Sequence, residues 1–508
     1  MESAESRSAR RGDGMRWIAL TLVTALAVGC GDDDGGAPED AGTTDAAMGD
    51  AGGELDAGPA PVTCDATEDD VLASTADAEA EAGAVLLCTP PSDLAATSLQ
   101  EDAAFHGYEG PTLEVDARRW VFSFATPRAD GDPALSSARL FLPAAEPEAP
   151  LPLVVLAHPT TGLGDVCAPT RMDARDPSNQ DTARLLNPLV GTGHAVVAPD
   201  YIGLGTEGVH GFLNPEETAT TLLDAARAAF ALAPEGTLSG QVVLVGHSQG
   251  AHAALAAQGV AATYAPELEL LGVASLAPPY FDVRPLSQLG LARTRAVGRI
   301  ENFAAMWSVG QLAAETDANA YDVLGGDERE ALVELYDTQC IDGLAEALAE
   351  IAPRVEDLLS RGYLSELTCV NFGTCESPWS ERLDGHRAPL DPEGAPVWIH
   401  LGTMDDTAPL EGVGCEGVDF LRGMGHEVES CVFEATHNEI PLVTMDWLQG
   451  WIAALAAGED APTCSSEGFP SCGMDEMDGG VPDDAGVMDD AGVMDDAGAM
   501  DAGVPDAG

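Results

Sequence analysis

The chain has 508 residues, 45% hydrophobic and 21% charged, which is enough apolar material for at least one large core. Acidic side chains outnumber basic ones 86 to 22, every basic residue is arginine, and the formal charge is −64. A surface this negative repels phosphate backbones, which argues against nucleic acid as a partner and leaves neutral and lipid substrates open.

Residues 1–29 read as an export signal. Arg16 gives a positive start, and Trp17 to Val28 form an apolar run. That run is shorter than the about 20 residues needed to span a bilayer core of roughly 30 Å. Translation starting at Met15 is an alternative, because the residues before it are polar and Arg-rich. The ending Ala27-Val28-Gly29-Cys30 resembles a bacterial lipobox, although Ala27 stands where Leu is usual. It predicts lipidation at Cys30 and anchoring to the bacterial envelope or cell surface, with simple secretion as the alternative. Residues 30–63 and 474–508 are built mainly from Asp, Ala and Gly, and the second stretch carries a VMDDAG repeat. Such segments cannot repay the entropy of ordering, so both are expected to be disordered acidic tethers. They do not account for all the charge: 59 acids face 18 arginines between Val71 and Gly473.

From about Arg119 the pattern becomes regular. WVFSF and ARLFLP read as a leading antiparallel pair. The runs at 151–159, 194–200, 241–248, 270–278, 396–402 and 427–435 are nearly continuous in apolar residues, as in strands buried on both faces of a parallel sheet. Helical patterns alternate with them at Glu216–Leu232, Gln249–Ala262, Val413–Arg422 and Asn438–Ala457. The fold class is therefore α/β, a doubly wound and mostly parallel sheet, with core residues 64–279 and 395–473. Residues 280–394 interrupt the rhythm with amphipathic helices around Val297–Glu315, Glu328–Tyr336 and Leu344–Leu359. An insertion there is expected to form a helical cap over the strand ends, where α/β sheets place their ligands.

Within this frame, Gly246-His247-Ser248-Gln249-Gly250 falls directly between a strand and a helix. A G-x-S-x-G turn in that setting exposes a strained serine at a helix N-terminus, with the next backbone N–H facing a developing oxyanion. Ser248 is thus the candidate nucleophile and Gln249 the first oxyanion donor. A serine needs a base and an orienting acid. Asp405, three residues after the strand ending at Gly402, is the candidate acid, with its neighbour Asp406 as rival. His437, between the last strand and the last helix, is the candidate base. His426 competes but lies at the other end of its strand, while His247, His252 and His400 read as packing or buried polar residues. The second oxyanion donor is expected at Thr160, or else Thr161, since Pro159 has no N–H.

Eleven cysteines leave ten, an even number, once Cys30 is set aside for the lipid, as suits an exported protein. Sequence leaves the connectivity open; proximity suggests Cys64–Cys88, Cys369–Cys375, Cys415–Cys431 and Cys464–Cys472, with Cys167 and Cys340 remaining. A Cys415–Cys431 bond would stiffen the loop carrying His437. No Cys or His spacing suggests a zinc site.

Taken together, HPTTGLGDVCAP, HAVVAPDYIGLGTEGVH and VVLVGHSQGAHAAL resemble the secretory lipase family of α/β hydrolases, the lipase A-like group. The likeness runs from about Leu72 to Ala457. Pro159 departs from the usual His-Gly-Thr-Thr-Gly of that family. The resemblance implies a helical cap forming the acyl pocket and a disulfide from the Cys167 loop into that cap, matching the remaining pair with Cys340. It also implies hydrolysis of small-molecule or lipid esters by a Ser248–His437–Asp405 triad, with no metal or organic cofactor. The expected protein is a monomer that meets the membrane only through Cys30. A serine peptidase on the same scaffold, and a non-catalytic surface-anchored binding protein, are the competing functions.

Overall fold

The computed structural model describes residues 62–472, except 78, 280–283, 316–318, 327, 388–389, 411–413, 466–467 and 469. The signal, nearly all of the N-terminal tether, the C-terminal tail and Cys30 lie outside the described residues. One mixed sheet of ten strands organises the rest. They are β1 (Val85–Cys88), β2 (Ser92–Leu94), β3 (Ala117–Pro127), β4 (Pro133–Pro143), β5 (Leu151–Ala157), β6 (Ala195–Pro199), β7 (Leu238–His247), β8 (Glu269–Leu276), β9 (Val397–Gly402) and β10 (Val428–Phe433). The order along the sheet is β1-β3-β4-β6-β5-β7-β8-β9-β10, with β2 also pairing β3. Strands β1 to β4 form antiparallel ladders, and every pairing among β5 to β10 is parallel.

The parallel strands are buried on both faces because their side chains alternate between two cores. On β7, Val242 and Leu244 pack with the helices Pro215–Leu232, Gln249–Tyr264 and Cys415–Gly423. Val243 and Val245 pack on the opposite face with Ala96–Phe105, Gln180–Gly191 and Met445–Ala457. The helix Gln249–Tyr264 is rich in alanine, so its backbone can lie close to the sheet. Pro215–Leu232 starts on Asn214, whose side chain accepts the N–H groups of Glu216 and Glu217.

The order of the sheet places the site. The chain leaves β5 for β6 on one side, whereas β7 continues to β8 on the other, so the loops after β5 and β7 diverge. A crevice opens at such a switch point, at the carboxyl ends of the strands. The ladders align those ends: Ala157 pairs with Gly246, Gly246 with Ser275, Leu276 with His400, and Gly402 with Phe433.

Between β8 and β9 the chain forms the expected helical insertion. It contains Arg299–Ala313, Arg329–Thr338, Leu344–Ile351, Val355–Leu358, Arg361–Asn371 and Pro378–Gly385. The helix expected over Leu344–Leu359 is broken around Ala352-Pro353, as the residue before a proline disfavours helical backbone. Trp307, Tyr336, Leu332 and Leu364 fill a core of the insertion's own, which also takes in Leu163, Phe212 and Leu213 from loops of the sheet domain. An anchor ties it to the sheet domain near its end: His252, on the helix Gln249–Tyr264, donates from Nε2 to the His386 carbonyl at 2.9 Å, and within the insertion the Trp307 indole donates to His386 Nδ1 at 3.1 Å.

The disulfides Cys64–Cys88, Cys167–Cys340 and Cys369–Cys375 match the expected pairs. The other two do not: Cys415 bonds Cys472, and Cys431 bonds Cys464. The alternation of β10 explains the correction. Val428 and Val432 face the helix that begins at Cys415, whereas Cys431 and Phe433 face the other core. Cys415 therefore cannot reach Cys431, and the segment after the last helix passes from one face to the other to meet both. On the way it covers β10 at the sheet edge, where Val432 N–H donates to the Pro470 carbonyl at 2.9 Å.

Candidate active site

Ser248 sits between β7 and the following helix with φ +54 and ψ −118, a conformation that costs a non-glycine residue about 1–3 kcal/mol. The two glycines around it make the turn possible. A Cβ on Gly246 would fall onto the Gly250 carbonyl, and one on Gly250 would fall onto the carbonyl of Ala157 at the end of β5. The turn thus draws the helix start against the neighbouring strand and puts Ser248 on the wall of a cavity of about 580 Å³.

His437 lines the same cavity. Its Nδ1 lies 2.7 Å from Asp405 Oδ2, and both residues are buried. Asp405 is held in turn, since its Oδ1 accepts the N–H groups of Thr407 at 2.8 Å and Ala408 at 2.7 Å. With the carboxylate accepting from Nδ1–H, the lone pair of His437 is on Nε2. The neighbouring carboxylate is placed differently. The Asp406 side chain is 73% exposed and bonds Arg299 at 2.7 Å, and that guanidinium holds its carboxyl below the usual range. His426 precedes β10 and lines a separate cavity with Gln258 and Glu427, away from Ser248.

Pro159 and Thr160 also line the Ser248 cavity, and Gln249 opens the helix behind the serine. The loop from His158 to Cys167 is fixed at several points. Tyr201 OH donates to the His158 carbonyl at 2.9 Å, Ile341 N–H donates to the Thr161 carbonyl at 2.8 Å, and Cys167 is bonded to Cys340. The last two contacts come from the insertion, so cap and loop are joined beside the cavity. The Gln249 side chain points away from the serine and donates from Nε2 to His210 Nε2 at 2.7 Å. Burial pushes the His210 imidazole down to about 3, so it is neutral and accepts that bond while Nδ1 serves the Ile202 carbonyl.

Two features escape the sequence reading. The helix Gln180–Gly191, interrupted in pattern by Pro188, brings Asp181 to the cavity. Burial raises the Asp181 carboxyl to about 6, against the opposing pull of Arg184 and His437. His247 is the second feature, and it does more than pack: it lines the cavity and donates from Nε2 to the His437 carbonyl at 3.0 Å. His252 and His400 are buried as expected, His400 between Phe433 and Trp447. Among the described residues no group of His, Cys, Asp and Glu is arranged to hold a metal ion, and no helix is long and apolar enough to cross a membrane.

Residues 172–281 match the family model described as secretory lipase. No curated protein matches the chain. Among solved structures, it resembles the rice cell wall degrading esterase LipA from Xanthomonas oryzae, with 20% identity and a TM-score of 0.56 over 74% of this chain and 97% of that one. It also resembles a putative hydrolase from Legionella pneumophila, with 16% identity and a TM-score of 0.59 over 74% and 100%. The third likeness is to Candida antarctica lipase A, with 17% identity and a TM-score of 0.58 over 78% and 88%. At these identities the three structures speak to the fold.

Proposed function

We propose that the chain is an exported serine esterase or lipase acting through an acyl-enzyme, a reading supported by the secretory lipase match over residues 172–281 and by the α/β-hydrolase-like fold. Ser248 Oγ attacks the ester carbonyl, and His437 Nε2 takes its proton and passes it to the leaving alcohol. Asp405 holds the imidazole in the required tautomer and stabilises the imidazolium. Backbone N–H groups of Gln249 and Thr160 receive the oxyanion, and water activated by His437 then releases the acid. The chemistry needs neither metal nor organic cofactor. The observation that carries this reading is the 2.7 Å bond between His437 and Asp405 on the cavity that a strained Ser248 also lines.

The five disulfides among the described residues fit an oxidising compartment outside the cytosol. Lipidation at Cys30, with the acidic tether spacing a monomeric enzyme from the envelope, belongs to the same proposal.

An acyl-enzyme has a kinetic signature. Mixing the protein with excess p-nitrophenyl acetate is expected to release a burst of about one p-nitrophenol per chain before the steady state, because acylation outpaces deacylation with so good a leaving group. Failure to hydrolyse any ester, together with turnover of aminoacyl amides, would transfer the assignment to a peptidase. No reaction with either class would favour a binding protein.

A further inference from the structure

The triad reading assigns side chains but leaves open what holds the main chain of the base. His437 lies on the loop beyond β10, outside the ladder, where an unsupported backbone would wander. One brace is internal: the Glu439 carboxylate accepts Thr436 N–H at 2.9 Å and Thr436 Oγ1–H at 2.7 Å, closing a small turn around His437. Two more contacts come from other elements. His247 Nε2 donates to the carbonyl of His437 itself at 3.0 Å, and Arg184 Nη1 donates to the carbonyl of Asn438 at 2.6 Å.

Both donors are themselves fixed. His247 is fully buried, its ring centroid 4.9 Å from that of His437, and burial keeps the imidazole neutral. A neutral ring that donates from Nε2 leaves an acceptor lone pair on Nδ1, and Asp181 Oδ2 at 3.9 Å is too far to bond it, so the ring is held by burial and packing. Arg184 is held by Asp181 Oδ1 at 2.8 Å and by the His106 carbonyl at 2.9 Å. Successive carbonyls of the base loop are therefore gripped from two directions.

We propose that His247 and Arg184 are positioning residues that set the place of the base relative to the nucleophile. His247 is the residue next to Ser248, so one rigid turn both presents the hydroxyl and grips the carbonyl of the histidine that must deprotonate it. Arg184 fixes the following peptide from the helix Gln180–Gly191, which limits rotation of the loop about the first contact. The histidine at the second position of the G-x-S-x-G turn supplies this donor. The proposal rests on the reading of Ser248 and His437 as nucleophile and base.

The test compares kcat and KM on p-nitrophenyl butyrate for full-length wild type, His247→Leu, His247→Gln, Arg184→Leu and Ser248→Ala. Leu fills the space of the ring without a donor, and Gln restores an N–H near the position of Nε2. Since misplacement by about 1 Å can cost about 100-fold, His247→Leu is expected to lose about 10- to 100-fold in kcat with KM changed less than about threefold. His247→Gln is expected to recover most of that loss, and Arg184→Leu to lose kcat in the same manner but less. Should His247→Leu fail to fold, judged by its thermal midpoint, the Arg184→Leu result decides. Wild-type kcat in the folded Leu variants, or an equal loss in His247→Leu and His247→Gln, would overturn the proposal. Activity persisting in Ser248→Ala would instead overturn the underlying triad reading, so the two failures are distinguishable.

Discussion

Ser248→Ala is expected to reduce kcat on short p-nitrophenyl esters by about 10⁵- to 10⁶-fold, the scale on which removal of a triad nucleophile acts. The fold is expected to survive. The sharp turn depends on Gly246 and Gly250, whose Cβ atoms would meet the backbone of Gly250 and of Ala157, and neither is altered. Alanine at φ +54 carries the same kind of backbone strain as serine, so no large change in thermal midpoint follows. Circular dichroism and a melting curve, set beside the assay, separate loss of chemistry from loss of structure.

The second large effect separates two adjacent carboxylates. Asp405→Asn is expected to lower kcat by about 10³- to 10⁴-fold, whereas Asp406→Asn is expected to stay within about threefold of wild type. The difference follows from their partners. Asp405 Oδ1 accepts two backbone N–H groups, so an asparagine would keep its oxygen there and turn its NH₂ toward His437. Nδ1 would then have to accept instead of donate, the proton would move to Nε2, and the lone pair needed by the serine would be lost. Asp406 bonds only from the surface, to Arg299 and Thr407, and an exposed ion pair contributes about 0–1 kcal/mol. Steady-state kinetics of the two single variants decide the matter, and equal losses would contradict the assignment of the acid.

How much of this was legible in the sequence depended on how local the signal was. The parallel strands announced themselves because burial on both faces writes a continuous apolar run, as in the VVLV of β7. The turn around Ser248 was legible for a local reason too, since its two glycines answer steric demands within five residues. Strands β1 and β2 are only four and three residues long, too short for a periodic signal, and the helix Ala96–Phe105 carries a weak pattern, so the sequence reveals β3 and β4 but not these elements. The cap was visible as a gap in the rhythm, but Arg361–Asn371 and Pro378–Gly385 pack against its own core through only a few side chains each.

What remained hidden depended on which face of an element a residue occupies. Proximity in the chain suggested Cys415–Cys431, yet one residue of alternation on β10 sends Cys431 to the opposite core. His247 looked like packing because nothing near it in the chain needs a donor; its acceptor is the carbonyl of His437, 190 residues away. Arg184 and Asp181 were missed together with their helix, whose pattern is interrupted by Pro188.

The central claim, that Ser248 is a nucleophile activated by His437, is tested most directly by labelling with a fluorophosphonate and mapping the adduct by peptide mass spectrometry. The expected result is a single adduct on Ser248 in the wild type, with a labelling rate reduced by at least about 100-fold in His437→Ala, in line with the contribution of general-base catalysis. An adduct on a different residue, no adduct at all, or an unchanged rate in His437→Ala would contradict it.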